Sequence, residues 1–113
     1  METTGNTTIQ DPLGLKRFAL TESAYDLVTS LTGIYSRSIF RESEQDDPDV
    51  ARMALWQNRV DELEDLRGNG KWADLSFLEL LIAELTNEYK QAIRQEEVQA
   101  KYATKTKSGT VHS

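Results

Sequence analysis

Apolar residues recur at three- and four-residue spacings through three stretches of this chain, separated by polar runs and chain breakers. In the first stretch they are Ala24, Leu27, Val28, Leu31, Ile34, Tyr35 and Ile39. The second carries Met53, Trp56, Val60 and Leu63, with Val50, Leu55 and Leu66 to the sides. The third carries Leu78, Ile82, Leu85, Tyr89, Ala92 and Ile93, then thins to Val98 and Tyr102. These spacings place each set on one stripe of a 3.6-residue helix, and such a stripe must be buried against something. The pattern predicts an all-α, three-helix domain.

Start and stop signals set the boundaries. Thr21 reads as the N-cap of the first helix, with Glu22 and Asp26 in the opening turns, where the helix dipole favours carboxylates. Gly33 interrupts the apolar face and reads as a point where a neighbouring helix comes close. The second helix runs from about Asp47 to Arg67, with Asp47 as N-cap and Pro48 at the first helical position, where a missing N–H costs nothing. Gly68-Asn69-Gly70 ends it. Ser76-Phe77-Leu78-Glu79 reads as a capping box opening a third helix, Ser76 to Tyr102, with Leu75 and Leu80 as a hydrophobic staple and Asp74 as a competing N-cap. Because the connection is short, helices 2 and 3 are expected as an antiparallel hairpin. Residues 19–102 then form the helical domain, 1–18 a flexible arm and 103–113 a disordered tail. Leu13, Leu15, Phe18 and Leu20 in the arm are apolar enough to fold back as a lid.

Composition narrows the function classes. The chain has 113 residues, one domain's worth, and no cysteine, which removes disulfides, thiolate metal sites and cysteine nucleophiles together. The net charge of −6 is concentrated in the helical part, so phosphate is repelled and direct nucleic-acid binding is not expected. No apolar run is long enough for a membrane span and the first residues lack a signal-peptide pattern, so the expected location is cytoplasmic, with no membrane partner. Phe77, Leu80 and Leu81 lie off the main stripe of helix 3, as Leu55 and Leu66 do on helix 2. Two-fold self-association would cover them, and a homodimer is expected.

Little in the chain carries chemistry. Glu42, Glu44, Asp46, Asp47 and Asp49 crowd one segment, but Pro48 and Val50 stand where a calcium loop needs its glycine turn, so the run reads as a solvated capping loop. The only histidine, His112, is penultimate. Ser36 and Ser38 sit beside Arg37 and Arg41 with no base in a recognisable motif, and Gly68-Asn69-Gly70-Lys71 follows a helix and reads as a turn. We therefore expect no catalytic residues, no cofactor and no metal.

What stands out is suited to docking. Trp56 reads as core, whereas Trp72, in the interhelix connection, either covers the hairpin end or serves as an anchor of the kind enriched in interface hot spots. Asp61, Glu62, Glu64 and Asp65 lie toward the C-terminal end of helix 2, where the dipole disfavours negative charge. Trp72, Phe77 and Leu81 form the apolar half of a candidate partner surface, and Asp61, Glu62 and Asp65 its acidic half. The leading expectation is a non-enzymatic protein-interaction module, a small regulator, adaptor or inhibitor that binds a partner protein through the hairpin. The alternative is an acidic DNA mimic or immunity-type inhibitor of a nucleic-acid enzyme.

Overall fold

The computed structural model describes residues 13–69 and 72–112, with side chains placed for 13–68 and 72–101. Three helices fill it: α1 (Leu15–Ser43), α2 (Val50–Asn69) and α3 (Leu75–His112). Residues 1–12 of the expected arm, together with Gly70 and Lys71 of the connection, lie outside the described residues.

Each helix starts at a different residue from the one the capping pattern favours. α1 begins six residues before Thr21, because Leu15 to Leu20 contain no breaker and Gly14 supplies the stop on the other side. Gly14 takes a left-handed backbone, φ 68°, and its carbonyl accepts from Phe18 N–H at 2.9 Å. Such a φ strains any residue with a Cβ, so glycine is required there. Leu13, Leu15 and Phe18 consequently lie exposed on the first turn and before it, while Leu20 packs on the core. α2 is capped by Asp49 and not Asp47: Asp49 Oδ1 accepts from Arg52 N–H at 3.0 Å. The N–H of Asp49 is in turn satisfied by Glu42 Oε2 at 2.9 Å, which ties the end of α1 to the start of α2. At α3 the competing cap prevails, with Asp74 Oδ1 accepting from Phe77 N–H at 3.2 Å. The α3 backbone continues to His112, since no proline follows Pro48 to stop it.

Cross-helix contacts fix the topology. Lys16 pairs with Glu79 and Arg37 with Glu96, so α1 and α3 run in the same direction. Arg67 donates to Thr29 and Glu42 meets Asp49, so α2 runs against both. The bundle is up-down-up, and α2 and α3 are antiparallel. The close packing runs through α1, which lies against both, whereas among the described residues α2 and α3 make no close backbone approach to each other. They are linked by side chains, foremost Arg59 to Glu88.

The core follows from this arrangement. α1 contributes Ala24, Val28, Leu31 and Ile34, α3 contributes Leu78, Leu81, Leu85 and Ala92, and α2 contributes Leu63. Ile82, Tyr89 and Ile93 pack on that cluster as the stripe predicts. Met53, Trp56 and Val60 are only half-buried, so the α2 stripe is spent at one end alone. Gly33 does not mark a close approach: a Cβ there would meet only Arg37 of its own helix, at 3.4 Å. No helix among the described residues is long and apolar enough to cross a membrane.

Candidate partner-binding groove

Because α2 and α3 splay apart over a shared floor, their separation leaves an open groove of about 700 Å³ at the end where α1 finishes. Its floor is Ile34 and Ser38 of α1 with Ala92 of α3, all buried residues that the gap uncovers from one side. Arg52 and Trp56 form the α2 wall, and Arg94, Gln95, Val98 and Gln99 the α3 wall. Glu42 at the end of α1, with Gln45, Asp46 and Asp47 of the connection, closes the far end. From Ala92 to Gln99 the groove follows α3 for roughly 10 Å, about two helical turns.

A polar bridge closes the inner end. Arg59 donates Nε to Glu88 Oε2 at 2.8 Å and Nη2 to Oε1 at 2.6 Å, a two-pronged pair that fixes the α2 to α3 distance. Tyr35, one of the groove residues of α1, donates its hydroxyl to the same Glu88 Oε2 at 2.7 Å, and Arg59 also holds Glu62 at 2.9 Å. Burial acts to raise the Glu88 pKa, but hydrogen bonds from Arg59 and Tyr35 outweigh it and hold the carboxyl below its ordinary value. For Tyr35, burial and the bond to Glu88 push the phenol well above its usual range.

A second cluster braces the outer side. Arg37 donates to both oxygens of Glu96, at 2.8 and 3.1 Å, and Arg41 adds a contact to Glu96 at 3.1 Å. The hydrogen bond from Arg37 leads the effects that lower the Glu96 pKa. Both carboxyls with shifted values are thus held ionised by arginines. Neither is poised as a general acid or base near neutral pH.

Protein-family models, curated proteins and solved structures were all compared with this chain, and none matches.

The residues that the sequence singles out for a partner are scattered by the fold. Leu81 is core, 7% exposed, within the buried cluster. Phe77 and Trp72 are half-buried against that core. Trp72 stacks edge-on with Tyr25 at 4.8 Å and Phe77 at 6.4 Å, and donates Nε1 to the Arg67 carbonyl at 3.2 Å. It covers the bundle end and occupies one of the last carbonyls of α2. Leu66 also packs inward, leaving Leu55 and Leu80 exposed from the set expected at a two-fold contact.

Asp61, Glu62 and Asp65 are exposed on α2, away from the groove lining. Their charge is partly answered locally: Gln57 donates to Asp61 at 3.0 Å, Arg59 holds Glu62, and Arg67 lies 3.8 Å from Glu64. In the acidic connection Glu42 and Asp49 are engaged in capping, and among the described residues no group of His, Cys, Asp and Glu is arranged to hold a metal ion.

Sequence reasoning missed Trp56, Ser38, Arg52 and Arg94 as groove residues. One feature pointed to them. After Ile93 the α3 stripe gives way to Arg94, Gln95, Glu96 and Glu97, while the antiparallel α2 still carries Met53 and Trp56. A large apolar wall facing a polar one does not close.

Proposed function

We propose that this chain is a non-enzymatic protein-interaction module, and that its partner seats in the groove between α2 and α3. The single observation that carries the reading is the groove itself, a two-turn cleft with an apolar floor and a rim of arginines, glutamines and acids. Concave apolar sites with a few placed polar groups are where proteins take up ligands and partner segments. The supporting chemistry is the pairing of Glu88 and Glu96 with arginines, which makes them braces. The acidic-mimic alternative uses the outer face of α2, whose carboxylates share Arg59 and Arg67.

A photo-crosslinking residue placed at Val98, on the groove rim, and separately at Asp65, on the acidic face, distinguishes the two. The groove reading expects a discrete protein adduct from position 98 and none from position 65 in native cells. The opposite pattern would transfer the function to the acidic face.

A further inference from the structure

We propose that the occupant of the groove is a two-turn amphipathic α-helical segment of a partner protein, with a carboxylate directed at Arg52 and Arg94 and a basic side chain directed at Asp46 and Asp47. This rests on the groove being the partner site.

Three observations lead to a helix of this kind. The first is architectural. α1 packs on both neighbours while α2 and α3 stay apart, so the groove occupies the fourth position of a bundle for its last two turns. A helix laid there meets apolar surface on three sides, from Ile34, Trp56 and Val98, and would complete a four-helix arrangement over that length.

The second is charge. Arg94 lines the α3 wall, and among the described residues it has no ion-pair or hydrogen-bond partner. Arg52, on the opposite wall, lies over the Trp56 ring at 5.4 Å, also without a carboxylate among the described residues. Asp46 and Asp47 stand unpaired by the same measure where the groove meets the connection. From Arg94 to Gln99, the α3 residue that lines the far end, is roughly 7.5 Å by helix rise, a little more than the roughly 6 Å of rise between side chains four residues apart. A Glu and a Lys four residues apart on one helix therefore match this rim, and the acidic body adds long-range attraction for a basic partner.

The third is Ser38. It is 4% exposed and lines the floor, so it sets a polar side chain in an otherwise apolar floor. A hydroxyl at that position can bond to a polar side chain that enters from above.

The test uses three lactam-stapled twelve-residue peptides that share one Leu stripe and differ at two solvent-edge positions four apart: Glu with Lys, Glu with Glu, and Lys with Lys. They are titrated into the full chain, with affinity from calorimetry and location from NMR shifts of Ser38, Trp56 and Ala92, using Leu63 and Trp72 as controls. The Glu with Lys peptide is expected to shift the groove signals alone and to bind about tenfold more tightly than either other peptide. Arg94→Glu should remove that preference, and the Lys with Lys peptide should then regain affinity for the variant. Equal affinity of all three in the groove would overturn the charge matching and leave the groove reading standing. Failure of every peptide to move the groove signals, while position 98 still yields a protein adduct, would overturn the helical occupant alone. With no adduct either, both fall.

Discussion

The two ends of this small bundle are built from similar sequence and reach different states. At the end where Trp72 lies, α1 meets α2 and α3 over Ala24, Val28, Leu31, Leu63, Leu78 and Leu85, and the indole closes the layer against Tyr25 and Phe77. At the other end α1 supplies equally apolar positions, Ile34 and Ile39, yet α2 contributes no buried residue beyond Leu63. The cause is on α3. Beyond Ile93 its half-buried positions are Glu96 and Gln99, and polar side chains there cannot be dehydrated against Trp56 without partners. Glu96 finds two, Arg37 and Arg41, on α1, which anchors α3 to α1 and away from α2. An apolar stripe is therefore only half of a packing instruction; the facing stripe decides whether it closes.

The largest effect that separates the two ends is a matched pair of truncations. Leu78, fully buried at the closed end, should lose about 2–5 kcal/mol on Leu78→Ala, from lost transfer energy and the cavity left behind. Trp56→Ala removes a larger side chain from a half-exposed position with open space beside it, and should cost only about 1 kcal/mol. Urea unfolding of both variants is the measurement. If the tryptophan proves the costlier residue, the groove is filled in solution and the contrast between the ends collapses.

Much of this was legible beforehand, and the misses have physical causes. Three helices, their stripes and the inward position of Leu85, Tyr89 and Ile93 follow from spacing alone. Which helix sits centrally did not, because short connections favour sequential neighbours and so point to α2 with α3. The partner of a stripe is set by depth and by ion pairs such as Arg37 to Glu96, 59 residues apart in sequence. Cap residues were misplaced by two positions at α2 and α3, since Asp47, Asp49, Asp74 and Ser76 all accept equally well in isolation. The groove was hidden because no single residue announces it. It arises from a mismatch between two helices whose facing register the sequence does not state.

The next effect lies at the boundary between the ends. Glu88 joins Tyr35 and Arg59, and Glu88→Gln should cost about 1–2 kcal/mol at neutral pH, a range set by charge-assisted hydrogen bonds and reduced by partial exposure. The pH dependence gives the sign. A carboxyl whose pKa is lower folded than unfolded contributes stability above the unfolded value, ordinarily about 4.5, and loses it as pH falls through the folded value. The wild type and Glu88→Gln should therefore differ at pH 7 and converge on acidification below pH 4.5. A gap that persists at pH 2 would mean that shape, and not charge, holds the bridge.

The smallest expected effect is a gain, and it probes the floor that both ends share. Gly33 lies in the middle of α1 with an ordinary helical backbone, since among the described residues Gly14 alone has a positive φ. A methyl group at Gly33 would meet only Arg37 of its own helix, at 3.4 Å, so no neighbouring helix resists it. Glycine in a helix interior is worth about 0.5–1 kcal/mol less than alanine, because the unfolded chain has more conformations to lose. Gly33→Ala should raise the stability by that amount, and by thermal unfolding it should raise the midpoint by a few degrees. The groove peptides should bind the variant as they bind the wild type if α1 is already rigid beneath them. Should affinity fall while stability rises, α1 bends at Gly33 when the groove is occupied, and the open end would differ from the closed one in motion as well as in packing.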